Sequence, residues 1–145
     1  MKSVSAVSLG VLLALVVGIL VVFGILAPLF TRFLGLEMVG STAVPTALLA
    51  FAAAFSFYFG GMAASYRAPM RRRLHGTLVA FAAFALSPVI NLLTGEGIFP
   101  GFETVGSGLL VGAFLAVSVA ASYVGARRGE ALFAYNSSVS RRRPQ

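Results

Sequence analysis

The chain has 145 residues, of which 59% are hydrophobic and only 10% are charged, with a formal net charge of +7. A soluble domain needs a charged surface that this composition does not supply, so the sequence indicates an integral membrane protein. Because cysteine is absent, disulfides, thiolate metal sites and thiol catalysis are excluded.

Four long apolar blocks follow one another along the chain. An α-helix rises about 1.5 Å per residue, so roughly 20 apolar residues cross a bilayer core. The blocks contain no Asp, Glu, Lys or Arg and predict helices at about 4–30, 43–66, 74–93 and 105–126. We therefore expect an all-α four-helix transmembrane bundle, with a single transmembrane domain over 1–128 and a basic tail over 129–145.

The first predicted helix is too long for the apolar region of a signal peptide, so we expect it to be retained. Near its end, Pro28 removes a backbone hydrogen bond and leaves the carbonyl of Gly24 without its usual donor. Pro88 has the same effect on Phe84 in the third helix. Carbonyls freed at membrane depth either line a pathway or mark a plain bend, and both interpretations stay open.

A short motif occurs twice in corresponding loops. GLEMVGS at 35–41 returns as GFETVGS at 101–107, with five of seven positions identical, and AASY at 63–66 returns at 120–123. We therefore expect two tandem helical hairpins related as a parallel repeat, about an axis along the membrane normal. The alternative is that rules of capping and packing produced similar residues independently.

The two heptapeptides also carry candidate capping and acidic residues. Ser41 and Ser107 lead into helices and are predicted N-caps. Glu37 and Glu103 precede the same helix starts, where the helix dipole favours negative charge. These two glutamates are either solvated loop residues or a possible outer acidic pair that attracts cations.

Small residues recur at every fourth position on the second and fourth helices. Such stripes let helix backbones approach closely in lipid, where water does not drive helices together. The stripes consist of Ala52, Ser56, Gly60 and Ala64, and of Gly108, Gly112, Ala116 and Ala120. We expect them to pack against neighbouring helices within the bundle or across a homo-oligomer.

The run GGMAASYRAPMRRRLHGTLVAF at 60–81 joins the second and third helices through a short basic loop. Its Gly-Gly pair at a helix end, its Ala-Pro loop and the Leu-His-Gly that opens the next helix resemble small uncharacterised prokaryotic four-span membrane proteins. The resemblance implies the four-span layout and transfers no functional residue. Packing at a tight turn is the first explanation for Gly60, Gly61, His75 and Gly76.

Polar side chains within the predicted spans are few. Ser87 and Asn91 are four residues apart and share a face of the third helix, and Ser56 in the second helix is able to join them. These three residues are a possible polar lining of a pathway, although an Asn in a span more commonly bonds across a helix interface. His75 has no carboxylate or second His near it in the sequence, which disfavours a catalytic or metal-binding role.

Positive charges are concentrated on one side of the predicted helix array. The side holds Lys2, Arg67, Arg71, Arg72, Arg73, Arg127, Arg128, Arg141, Arg142 and Arg143. Because Lys and Arg near helix ends are retained in the cytoplasm, we expect a multi-pass plasma-membrane protein with cytoplasmic N and C termini. We expect Arg71, Arg72, Arg73, Arg127 and Arg128 to set this orientation and to rest on anionic lipid headgroups. Nucleic acid is not an expected partner, because aromatic residues do not alternate with the basic ones.

The chemical inventory gives little for catalysis. The chain has one His, no Cys and no Asp, so we expect no enzymatic activity, no cofactor and no metal site. We expect a non-enzymatic membrane protein that acts through helix packing, as an accessory or assembly subunit of a larger membrane complex or as a small structural homo-oligomer. The alternative is a small homo-oligomeric channel or facilitator lined by the third helix.

Overall fold

The computed structural model describes residues 2–34, 44–94 and 105–142. These ranges contain four long helices, which we name α1 (Lys2–Val21), α2 (Val44–Arg67), α3 (Arg72–Thr94) and α4 (Val105–Arg142). Within the described residues, four helical segments are long and apolar enough to cross a membrane. The predicted all-α four-helix bundle is therefore confirmed.

The first helix continues beyond Val21 with a wider winding. Val22–Leu26 and Phe30–Leu34 form π-helical turns, and a short α-helical segment, Ala27–Leu29, separates them. Pro28 lies in that segment and has no N–H to donate one turn back. Because a π turn accommodates an extra residue, the helix passes the proline without ending there. It reaches residue 34, beyond the predicted end near 30.

The centre of the bundle is the pair α2 and α3. The α1 helix packs against both from one side, α4 packs against both from the other, and α2–α4 is the most extensive contact. The helices α1 and α4 have no extensive contact with each other. Because Gly61 lies against Ser122 and Met62 lies against Gly129, α2 and α4 run in the same direction. The most extensive contact is thus between α2 and α4, which are not consecutive in the chain.

Close packing is concentrated at one end of the bundle, which we call the basic end. It comprises the start of α1, the turn between α2 and α3, and the second half of α4. Buried residues there are small: Ala6, Gly10, Ala14, Gly60, Gly61, Ala64, Ser65, Gly76, Val79, Ala80, Ser118, Ser122, Gly125, Ala126 and Gly129. At the opposite end, the described side chains of 81–94 and 108–117 include no buried residue. Helices α3 and α4 therefore present most of their apolar surface outward at that end.

The α4 helix is much longer than a membrane crossing requires. It has 38 residues, and at about 1.5 Å per residue it exceeds the roughly 30 Å of a bilayer core. Its last part, residues 127–142, which we call the α4 extension, includes most of the residues that were predicted to form a separate basic tail. The described part of that tail is a continuation of the fourth helix.

The repeated motifs differ in their structural positions. Residues 35–41 lie outside the described ranges, as do Glu103 and the rest of 101–104. The α4 helix begins at Val105, so Ser107 lies within its first turn and is not the N-cap. The second AASY lies in the middle of α4 instead of at its end, because α4 continues to Arg142. The parallel repeat stays a prediction.

Candidate functional site

The small-residue stripe of α2 lies in the interior of the bundle. Ala52, Ser56, Gly60 and Ala64 are all buried. A Cβ added at Gly10 of α1 would lie 2.7 Å from the carbonyl oxygen of Gly60, so the two backbones touch at this crossing. The Ser56 hydroxyl donates to the carbonyl of Ala52 at 2.7 Å, within its own helix. This stripe is the contact surface of α2 for α1.

The predicted stripe of α4 lies on an exposed face. Gly112, Ala116 and Ala120 are exposed, and Gly108 is partly so. Among the described residues, no heavy atom of another element would lie within 4 Å of a Cβ added at Gly108 or Gly112. The expectation that this stripe packs within the bundle is wrong for a single chain. Packing across a homo-oligomer, which was the other option, stays a prediction.

The face of α4 that does pack was missed in the sequence. It carries Ser118, Ser122, Gly125, Ala126 and Gly129, all buried. A Cβ at Gly125 would lie 3.1 Å from the nitrogen of Met62, and one at Gly129 would lie 3.1 Å from the nitrogen of Tyr66. Residues two apart on a helix point to nearly opposite faces, so this seam is opposite the exposed stripe. The signal was a Gly-x-x-x-Gly pair, but it extended past the predicted helix end near 126.

Two buried serines connect three helices. The Ser65 hydroxyl of α2 donates to the carbonyl of Ala126 in α4 at 2.8 Å. The Ser122 hydroxyl of α4 donates to the carbonyl of Gly76 in α3 at 2.7 Å. Both serines have 0% exposure and both are the serine of an AASY motif. These hydrogen bonds between helices were not predicted from the sequence.

The glycines of the 60–81 run lie where these three helices converge. A Cβ added at Gly76 would lie 2.7 Å from the carbonyl oxygen of Gly61, and Gly61 in turn faces Ser122. His75 differs, because its Nδ1 lies 3.1 Å from the carbonyl oxygen of Arg71, one turn earlier in the chain. Close helix packing and a local turn contact account for these four positions of the run.

The α4 extension docks onto the turn between α2 and α3. The Arg72 guanidinium donates to the carbonyls of Ser65 at 3.2 Å and Tyr66 at 2.6 Å, which end α2. The same guanidinium lies over the Phe133 ring of the extension, 3.3 Å from its centroid. Arg72 thus caps one helix end and holds a second helix at the same time.

Two further contacts hold the extension. Arg73 forms an ion pair with Glu130, and both side chains are partly exposed. The Asn136 side-chain amide donates to the Tyr66 hydroxyl at 3.1 Å, while the Tyr66 and Phe133 rings meet edge to face. Glu130 and Asn136 were not among the predicted site residues, because the tail was treated only as a carrier of positive charge.

The five predicted orientation arginines therefore differ in their contacts. Arg72 and Arg73 contact the protein, as described. Arg71, Arg127 and Arg128 are exposed. Arg71 has a φ of 45°, a left-handed conformation that closes the turn before α3 and is costly for a residue with a Cβ.

The structure does not bring the predicted polar lining together in one chain. Ser87 is exposed on α3, and Asn91 is partly buried. Ser56 is buried between α1 and α2, where a Cβ added at Gly18 would lie 3.4 Å from its Oγ. The channel hypothesis would need several copies to enclose Ser87 and stays a prediction. The predicted acidic pair, Glu37 and Glu103, lies outside the described residues.

No family model, curated protein or solved structure matches this chain. Within the described residues there is no group of three or more His, Cys, Asp or Glu side chains that would hold a metal ion.

Proposed function

We propose that this protein is a non-enzymatic multi-pass membrane protein that acts through helix packing, as an accessory or assembly subunit or as a small structural oligomer. The observation that carries the proposal is the exposed stripe of α4. It has the four-residue spacing of the α2 stripe, which is buried inside the bundle, yet no other described helix lies against its glycines. The partner is a second copy of the chain or a helix of another membrane protein.

The physical support comes from the nature of helix association in lipid. Apolar side chains gain little by leaving lipid for another apolar surface, so close backbone approach provides most of the attraction. Glycines in a spanning helix also lower helix propensity, by up to about 1 kcal/mol each relative to Ala. Gly108 and Gly112 bring that cost, and an added Cβ at either would meet no other helix among the described residues. A second helix at this face would give them a packing role.

The orientation and location are part of the proposal. The described arginines other than Arg32 lie at the basic end, on the turn before α3, at the end of α2 and on the α4 extension. Together with the positive-inside tendency, this supports a plasma-membrane protein whose N and C termini are cytoplasmic. The sequence inventory of one His and no Cys supports the absence of enzymatic activity and of a cofactor. The relation to small prokaryotic four-span proteins also remains a proposal.

A substitution at Gly112 tests the proposal. We expect Gly112→Leu to lower the association constant at least tenfold, equivalent to about 1.4 kcal/mol, because the leucine keeps the two backbones apart. The measurement is native mass spectrometry of the protein extracted gently from its own membranes, with energy transfer between labelled copies in liposomes as the second readout. Defined foreign subunits identify an accessory role, whereas a discrete homo-oligomer is the outcome expected of both a structural oligomer and the homo-oligomeric channel.

Gly24→Leu is the matched control. Gly24 is also a glycine of a spanning segment for which the described residues place no heavy atom within 4 Å of an added Cβ, but it is not part of a stripe. Its substitution is expected to leave assembly unchanged. Gly112→Leu assembling as well as the unchanged protein would overturn the proposal.

A further inference from the structure

A groove runs along α2 at the basic end of the bundle. It exists because α1 and α4 flank α2 without extensive contact with each other, which leaves the strip of α2 between them uncovered. The resulting cavity has a volume of about 420 Å³ and is lined by Leu9, Met62, Ala63, Tyr66, Arg67 and Leu132. This volume is within the range of small-molecule sites in proteins.

The walls of the groove are fixed by backbone contacts. On one side, Gly10 follows Leu9 directly and lies against Gly60 of α2. On the other side, Gly129 precedes Leu132 by one turn and lies against the backbone of Met62. Because glycines bring both flanking helices to within contact of α2, the two leucines are held at a set separation. The groove is therefore preformed in the single chain.

The polar end of the groove has a defined chemistry. The Tyr66 hydroxyl is held by the amide of Asn136. Arg67 is exposed, and the described residues show no hydrogen bond or ion pair from its guanidinium, in contrast to Arg72 and Arg73. Arg128, one turn before Leu132, is also exposed but is not among the residues that line the groove. Glu130, which lies two residues before Leu132 in the chain, is paired with Arg73.

We propose that this groove binds one anionic phospholipid. One acyl chain lies along Met62 and Ala63 between Leu9 and Leu132, and the phosphate is bound by Arg67, one turn further along α2. The ligand must be amphipathic, because the groove is apolar along its length and positive at one end. A cation at the end of a spanning helix lies at headgroup depth, which selects a lipid anion over a soluble one. The proposal is independent of the exposed α4 stripe.

The test is native mass spectrometry of the monomer, released from detergent with phosphatidylglycerol or phosphatidylcholine of identical acyl chains. We expect one phosphatidylglycerol to be retained in preference to phosphatidylcholine. Arg67→Gln is expected to lower retention of phosphatidylglycerol at least threefold and to leave retention of phosphatidylcholine unchanged. The charge-matched control is Arg127→Gln, since Arg127 is exposed on α4 but does not line the groove.

A second variant tests the apolar part without a change of charge. Ala63→Phe is expected to fill the groove and to reduce retention of phosphatidylglycerol at least threefold. Ala47→Phe adds the same ring on an exposed position of α2 and is the matched control. Equal effects of Arg67→Gln and Arg127→Gln would indicate general attraction of anionic lipid to a basic protein and would overturn the site. If Ala63→Phe does not fold, the two arginine variants decide, because both alter exposed side chains only.

Discussion

At the scale of single residues, serine hydroxyls fall into two groups, those that bond within their own helix and those that bond to another helix. Ser8 and Ser56 bond within their own helices, at 3.0 Å and 2.7 Å. Ser65 and Ser122 instead bond to carbonyls of other helices. Sequence alone does not separate the two groups, because the choice depends on which carbonyl the neighbouring helix places opposite each hydroxyl. That position is set by the rotation and register of two helices together.

Replacement of Ser122 tests the value of one such bond. We expect Ser122→Ala to lower the free energy of unfolding by about 0.6 to 1.7 kcal/mol, from the average to the largest value for hydrogen bonds between spanning helices. The measurement is reversible unfolding in detergent micelles or bicelles.

Ser118→Ala is the control on the same helix. Ser118 is equally buried, but its hydroxyl has no hydrogen-bond partner in the described part of the chain. Removal of an unpaired buried hydroxyl is expected to be neutral or stabilising. Equal destabilisation by both substitutions would contradict a special role for the Ser122 bond.

At the scale of elements, sequence patterns predicted where the long α4 helix begins but not where it ends. The apolar block predicted its start at 105 and its crossing of the membrane, and Arg127 and Arg128 interrupted the apolar run at the predicted end. Helix propensity continues beyond them, because Arg, Glu, Ala and Leu are strong helix formers. The packed face of α4 continues as well, since Gly129 approaches the backbone of α2. A prediction based on hydropathy alone therefore ends the helix too early.

The contact at Gly129 should control how firmly the α4 extension is docked. A leucine at this position would overlap the backbone of Met62, so Gly129→Leu is expected to separate the extension from α2. Overpacking of this kind typically costs about 1 to 3 kcal/mol. The measurement is the rate of limited trypsin cleavage after Arg127 and Arg128, which should rise.

The comparison for this experiment is Gly108→Leu, a change of the same kind on the same helix in open space. It is expected to leave the cleavage rate unchanged. Cleavage of Gly129→Leu at the rate of the unchanged protein would show that the extension is held by Arg72, Arg73 and their partners alone.

At the scale of the whole molecule, composition and block length were sufficient for the fold class and the number of spans. Composition and block length did not predict which helices contact each other. The expectation of consecutive hairpins did not anticipate that α2 makes its most extensive contact with α4. Two faces of α4 carry small residues at similar spacing, and the sequence gives no reason to prefer the one with Ser118 and Gly129. The face with Ser118 and Gly129 is the packed one because, in the folded bundle, it contacts α2 and α3 at the same time.

The orientation of the molecule in the membrane is testable because the chain has no native cysteine. Single cysteines at positions 97 and 140 are expected to react with a membrane-impermeant thiol reagent from opposite sides. Position 140 should react only when the cytoplasmic face is open, because the cations that flank it favour that side. Labelling of both positions from the same side would overturn the proposed topology.

Because α1 and α4 pack on opposite sides of α2 and α3, the helices can assemble in the order in which they are made. The N-terminal helices are made first, and α1 and α2 can pair through Gly10 and Gly60 before the rest of the chain exists. The α3 helix then joins this pair. The α4 helix, made after the other three, can dock on α2 and α3 without displacing α1, because its site is on the far side. Until α4 arrives, Ser65 has no access to the carbonyl of Ala126, so a helix that is made later completes the hydrogen bonding of α2.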